Sequence, residues 1–125
     1  VLCFLRQNFS ELPSSLKEQL YFTHVRSLLE YACVCWDPYT KDLADALEKI
    51  QNRAMRFVLG NWDRQLSMRE CKSKLKWEDL KDRRRNLRLK FFHNIYHSKT
   101  GIDKEKYIQA PSYISRRTDH SLKVN

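Results

Sequence analysis

The feature that most constrains the fold is an amphipathic repeat between residues 41 and 59. Its apolar side chains recur at steps of three and four residues, and they are Leu43, Leu47, Ile50, Ala54, Phe57 and Val58. This spacing places them on one face of an α-helix, and Gly60 supplies a common helix stop. The opposite face carries Lys49, Asn52, Arg53 and Arg56 and is predicted to meet solvent or a charged partner.

Further helices are predicted on both sides of this repeat. Capping boxes at Ser15/Glu18 and Ser67/Glu70 predict helices over 16–31 and 68–75. A last helix is expected over 77–97. Residues 1–9 are expected to be the tail of another helix, ended by the proline that follows.

Glycine and proline are scarce, with two and three residues in 125, which argues against a fold rich in tight turns. The fold class predicted is therefore all-α, a small bundle of about four helices. It is expected to occupy residues 1–106 and to be followed by an irregular polar tail over 107–125.

Two of the three tryptophans and one charge pair are given structural roles. Trp36 is expected to anchor the turn before Pro38, and Trp77 to pack in the core. Trp62 lies between polar residues, which makes it the one tryptophan suited to stacking on a base. Arg26 and Glu30 are four residues apart and are expected to form an ion pair within their helix.

Positive charge is concentrated in one part of the chain. The net charge is +9, and residues 53–90 hold thirteen Lys/Arg against five Asp/Glu. Such a surface favours nucleic acid, acidic proteins or anionic lipid as partners. The predicted phosphate contacts are Arg53, Arg56, Arg83, Arg84, Arg85, Arg88 and Lys90, although a solvated helix face would carry the same residues.

The cysteines and histidines predict neither a disulfide framework nor a metal site. Cys33 and Cys35 flank a single residue, a spacing that fits neither common zinc knuckles nor thioredoxin-type motifs, so they are interpreted as buried, reduced thiols of an intracellular protein, nuclear or cytoplasmic. His93 and His97 could face one metal, but the glutamate of zinc proteases is missing beside them. No metal or other cofactor is expected.

No apolar stretch approaches the roughly 20 residues that span a bilayer, so no membrane association is expected. The chain opens on Val1 without a start methionine, and it is expected to be a piece of a longer protein. No serine, histidine and aspartate arrangement resembles a hydrolase motif.

Four ordered motifs resemble the reverse transcriptases of jockey-like non-LTR (LINE) retrotransposons, with arthropod elements most similar. They are LYFTHVRSLLEYA at 20–32 followed by WDP at 36–38, LEKIQNRAMRF at 47–57, LKDRRR at 80–85 and YISRRTDH at 113–120. Together they cover nearly the whole chain. In that family this region follows the polymerase palm, whose metal-binding aspartates lie in a motif similar to Tyr-Ala-Asp-Asp.

The resemblance implies a thumb-like helical region of an RNA-directed DNA polymerase that grips template–primer or element RNA by its backbone. The partners implied are RNA or an RNA–DNA hybrid, and the rest of the polymerase if the chain is part of it. The aspartate motif of the palm is absent from the sequence. Two-metal phosphoryl transfer needs several converging carboxylates, so no activity is expected from this chain alone.

Two other interpretations stay open. An element-derived host protein would keep the helical fold as a protein–protein interaction module, with its basic face meeting an acidic partner. A translated, degenerate fragment would have no selected function. Binding tests with and without nuclease treatment separate the first alternative from nucleic-acid binding.

Overall fold

A computed structural model describes residues 1–109 and 123–124, which fall into two compact units, Val1–Leu87 and Arg88–Asn125. The fold is all-α, as the sequence predicts. The helices are α1 (Leu2–Asn8), α2 (Ser14–Tyr21), α3 (Ser27–Glu30), α4 (Cys33–Trp36), α5 (Lys41–Leu59), α6 (Met68–Leu75) and α7 (Leu80–Tyr96).

Helix α5 has the bounds predicted from its apolar repeat. Gly60 follows it with φ of 64°, in the left-handed region that ends many helices and that glycine adopts without a steric penalty. The first unit packs mainly against this helix. Its buried residues include Ala54, Met55, Phe57 and Val58, which are members of the predicted core face or its neighbours.

Residues 14–30 form one continuous helical segment, in which a π-helical turn (Phe22–Arg26) joins α2 to α3. The predicted capping box at Ser15 is wrong, because the helix begins at Ser14 with Pro13 in the cap position. Glu18 instead accepts a hydrogen bond from the indole Nε1 of Trp77, at 2.6 Å. The glutamate is used for tertiary packing rather than for closing its own helix.

The predicted intrahelical pair of Arg26 and Glu30 is also wrong. The Arg26 guanidinium lies over the Phe22 ring, 3.8 Å from its centroid, and Glu30 bonds to Arg83. The chain then turns through Ala32, which has a left-handed backbone (φ 50°), into the single turn of α4. Trp36 contacts this turn by donating its Nε1–H to the Tyr31 carbonyl, but its side chain is partly exposed.

The second predicted capping box is confirmed in its first half, since the Ser67 hydroxyl accepts a hydrogen bond from the Glu70 backbone N–H at 3.5 Å. The last long helix begins at Leu80 rather than at Trp77. Trp77 precedes that helix in the chain. Its side chain is buried and stacks on Tyr21, with ring centroids 4.5 Å apart. Its predicted core role is confirmed.

The core of the first unit joins side chains from α1, the 14–30 segment, α5, α6 and the residues before α7. Its buried members are Leu5, Tyr21, Val25, Ala54, Met55, Phe57, Val58, Cys71 and Trp77. The apolar repeat in the sequence identifies Ala54, Phe57 and Val58 but not Met55, and Leu43 of the predicted face is exposed. The contributions of Leu5 and Cys71 depend on how short helices dock.

The second unit contains the end of α7, a 3₁₀ turn (Lys104–Lys106) and two short strands, β1 (Ile108–Gln109) and β2 (Lys123–Val124). The strands are antiparallel, with Ile108 opposite Val124. Two-residue strands are too short to leave an alternating pattern in sequence. The predicted irregular tail falls largely on residues 110–122 and 125, which lie outside the described residues, and its boundary at 106/107 stays a prediction.

Candidate nucleic-acid interface

Arg84, one of the predicted phosphate contacts, lies inside the first unit. Only 1% of the residue is exposed, and its Nε donates a hydrogen bond to Asp37 Oδ1 at 2.7 Å. A buried guanidinium needs a carboxylate to offset its desolvation, and Asp37 supplies it from the Trp-Asp-Pro turn. The prediction that Arg84 contacts phosphate is corrected, because the side chain does not reach the surface.

Arg83 is also committed to a carboxylate. Its Nε and Nη2 donate to the two oxygens of Glu30, the second at 3.0 Å, in a bidentate pair that is partly shielded from water. The hydrogen bonds that Arg83 donates to Glu30 raise the pKa of Arg83. Burial and the nearby Arg83 charge lower the pKa of Arg26. Arg83 is therefore engaged in an ion pair within the fold.

Further polar contacts connect α5 to its neighbours. The Tyr21 hydroxyl donates to Gln51 Oε1 at 3.1 Å, and Gln51 Nε2 donates to the Glu78 carbonyl at 2.9 Å. Burial raises the pKa of Tyr21 well above its ordinary range.

Glu48 holds the start of α7 and the end of α6 against α5. Its Oε1 accepts the Lys81 backbone N–H at 3.0 Å, and its Oε2 accepts from Lys72 Nζ at 3.3 Å. Burial alone would lower the pKa of Lys72, but hydrogen bonds to Asp79 and Glu48 raise it above its usual value. Glu48 and Gln51 thus mark the side of α5 that faces α7.

The other side of α5 carries a row of cations, Lys49, Arg53 and Arg56, which we call the outer basic edge. Lys49 and Arg53 are exposed and Arg56 is half-buried. None of the three takes part in an ion pair within the described residues. Their spacing of four and three residues puts them on adjacent turns of one face, spread over about 10 Å of helix.

Arg6 on α1 joins the outer basic edge, and sequence reasoning did not identify it. Its guanidinium lies 5.3 Å from the centroid of the Trp62 ring, and both side chains line a small hollow together with Arg53. Arg6 is a single charge in a seven-residue helix, so no periodic pattern could have linked it to α5. Trp62 is partly exposed, as expected, but one face of its ring carries this guanidinium.

The remaining predicted contacts lie on α7. Arg85 is exposed in the first unit, and Arg88 and Lys90 are exposed in the second. Arg53 and Glu48 are five residues apart, which places them about 140° apart around α5. Since Glu48 bonds to the start of α7, Arg53 lies on a different side of α5 from the one that meets α7.

The described histidines and cysteines differ in their exposure and in their neighbours. The rings of His93 and His97 lie with centroids 4.2 Å apart, but the described residues contain no group of three or more potential metal ligands. Cys33 is buried, with its thiol pKa raised by burial, whereas Cys35 is exposed. The expectation that both thiols are buried therefore holds only for Cys33.

Asp42 and Asp45 are exposed on α5.

In the described part of the chain, no helix is long and apolar enough to cross a membrane.

Comparison with known proteins leaves the family resemblance as a prediction. No family model, no curated protein and no solved structure matches the chain.

Proposed function

We propose that the chain binds RNA or an RNA–DNA hybrid through phosphate contacts, as a thumb-like part of a non-LTR retrotransposon polymerase. The observation that carries this proposal is the outer basic edge, where Lys49, Arg53 and Arg56 lie side by side without an ion pair in the described residues. Cations that are not neutralised within the fold are available to phosphates.

The dimensions of this edge suit a nucleic-acid backbone. Three cations over about 10 Å of helix match about three nucleotides at roughly 3.4 Å of rise each along one strand. Arg6 adds a fourth cation near Arg53. Lysine and arginine contacts of this kind fix position on a backbone without reading bases, so the proposed binding is independent of sequence and contributes no catalytic group.

Arg85, Arg88 and Lys90 are exposed residues of α7. They belong to the proposal as auxiliary contacts. Arg84 is not included because it is buried, and Arg83 is not included because its Nε and Nη2 already donate to Glu30.

Fluorescence anisotropy with a labelled RNA–DNA hybrid, repeated over a series of salt concentrations, tests the proposal. Affinity should fall steeply as salt rises, because bound cations release counterions. The double variant Arg53→Gln/Arg56→Gln should reduce the slope of log affinity against log salt concentration by about 2. It should also weaken binding at low salt by about tenfold or more.

The matched control is Lys104→Gln/Lys106→Gln, which removes the same charge from two exposed lysines of the 3₁₀ turn. It should leave most of the slope and the affinity in place. A salt-independent affinity would contradict phosphate binding. An equal loss in both double variants would mean that net charge, and not the outer basic edge, governs the interaction.

A further inference from the structure

A second surface of the first unit is apolar and lies beside the outer basic edge. A groove of about 300 Å³ runs between α1, the end of the 14–30 segment and α5, and we call it the α1–α5 groove. Its lining includes Leu2, Val25, Leu28, Leu29, Ile50 and Arg53. Val25 belongs to the core, and Leu2, Leu29 and Ile50 pack against it, so the floor of the groove is the edge of the core itself.

Leu28 shows that this floor opens to the surface. It is 62% exposed, whereas the neighbouring Leu29 is half-buried and packs against the core. A single exposed leucine is ordinary, but here the exposed leucine continues into an apolar groove. Contiguous apolar surface with a polar rim is typical of sites that bind another protein.

The charged side chains at this surface are all basic. Arg53 is the one charged side chain among the described residues that line the groove. At the α1 end, a smaller hollow of about 90 Å³ adjoins it, lined by Arg6, Arg53, Phe57 and Trp62 among others. No acidic side chain of the described residues lines either cavity, so the complementary ligand pairs apolar groups with a carboxylate.

Charge and chemistry select among possible occupants. A nucleic-acid backbone gains nothing from an apolar floor, since its phosphates remain hydrated. A second copy of the chain would bring another net charge of +9 against Arg6 and Arg53 and would be repelled. An amphipathic helix with an apolar stripe and acidic residues satisfies both the floor and the rim, in the way that helices bind grooves by apolar residues at i, i+3, i+4 and i+7.

We propose that the α1–α5 groove binds an acidic amphipathic helix of another protein, with its apolar stripe on Leu28, Leu29 and Ile50 and its carboxylates at Arg53 and Arg6. This goes beyond the proposed function, because it assigns the chain a protein partner. Arg53 belongs to both surfaces, so an acidic helix in the groove competes with phosphate for this residue.

A selection from a phage-displayed library of random peptides of about 15 residues, roughly four helical turns, tests the proposal on the intact chain. Enriched peptides should carry apolar residues at helical spacing together with Asp or Glu. The bait variant Leu28→Gln should lose this enrichment. Leu89→Gln is the matched control, because Leu89 has a similar exposure of 56% and lies in the other unit, and it should select the same peptides as the parent chain.

The most enriched peptide then gives a dissociation constant by anisotropy. Leu28→Gln should weaken it by about tenfold, as loss of one buried anchor does, while the thermal unfolding curve stays unchanged. Arg53→Gln should weaken the acidic peptide but not a version with its Glu and Asp changed to Gln and Asn. Leu28→Gln should bind the RNA–DNA hybrid as the parent does, so the two proposals can fail separately.

Several results would overturn the helix proposal. No enrichment above empty beads, equal enrichment on the Leu28→Gln bait, or enrichment of basic peptides would each exclude it. A dimer in sedimentation that dissociates on Leu28→Gln substitution would assign the groove to a second copy of the chain instead.

Discussion

Two pairs of arginines in the first unit have opposite environments. Arg83 and Arg84 turn inward and bond to Glu30 and Asp37, whereas Arg53 and Arg56 stand on the outer basic edge without an ion pair in the described residues. All four come from the same strongly basic stretch of sequence. The difference lies in whether the fold brings a carboxylate to them.

The carboxylates that decide this are distant along the chain. Glu30 is 53 residues from Arg83, and Asp37 is 47 residues from Arg84. A count of charges in the 53–90 segment treats the four arginines alike. Only the inward pair contributes to folding, and only the outward pair is available to a ligand, so substitutions at the two should have different consequences.

The largest effect is expected for Arg84→Met, which removes the buried cation and leaves Asp37 without this partner. Breaking a buried pair by deleting one member costs about 3 kcal/mol or more of unfolding free energy. Urea unfolding followed by tryptophan fluorescence measures it. A loss below about 0.5 kcal/mol, the size usual for surface substitutions, would contradict the buried position of Arg84.

The next effect is expected for Tyr21→Phe, which leaves the buried Gln51 Oε1 without its donor and should cost about 1–2 kcal/mol at pH 8. It should also change how the unfolding free energy depends on pH in the alkaline range. The folded pKa of Tyr21 is raised by burial, so above pH 10.0 only the unfolded chain ionises this residue and stability falls.

The parent chain should therefore lose up to about 1.4 kcal/mol per pH unit from this group above its ordinary pKa, and the phenylalanine variant should lack that contribution. Lys72, whose pKa is also raised, adds a loss at alkaline pH in both proteins. Urea unfolding at neutral and alkaline pH gives both slopes. Parallel slopes would mean that Tyr21 ionises freely in the folded chain.

A smaller effect is expected for Arg83→Gln. The pair with Glu30 is only partly shielded, with 28% of the Arg83 side chain exposed, so the substitution should cost about 1 kcal/mol after allowing for solvent screening. High salt should reduce the difference in unfolding free energy between the variant and the parent chain. A difference that is unaffected by salt would point to packing of the side chain stem rather than to the ion pair.

The smallest stability effect is expected for Arg53→Gln, within about 0.5 kcal/mol of the parent, because the side chain is exposed and makes no ion pair in the described chain. The same variant should nevertheless weaken hybrid binding measurably. Arg84→Met should show the reverse. It should lower the unfolding free energy strongly, while the molecules that stay folded should bind the hybrid with nearly the same dependence on salt concentration. If Arg53→Gln lowered the unfolding free energy more than Arg84→Met did, the contrast between the outward and the inward arginines would be contradicted.

How far sequence predicts this molecule depends on the range of the interaction concerned. The bounds of α5 follow from a local apolar repeat and its glycine stop, and the cap of α6 follows from Ser67 and Glu70. The capping box at Ser15 and the Arg26–Glu30 pair were predicted from equally good local spacing and are wrong. In both cases a residue from after α6, Trp77 or Arg83, takes the glutamate instead.

The candidate interface shows the same division. Arg53 and Arg56 could be placed on the solvent face of α5 from helical periodicity. Arg6 could not be added, because its position beside Arg53 depends on how α1 docks. Arg84 could not be removed, because its burial depends on Asp37 reaching it from another segment.

By itself, the sequence determined that this protein is helical, where its longest amphipathic helix begins and ends, and which stretch carries its positive charge, because these properties depend on residues within a few turns of each other. The tertiary structure alone decided which of those charges remain at the surface and which apolar residues border an open groove. Neutralising a buried guanidinium or covering a leucine requires groups that lie close in space and far apart in sequence.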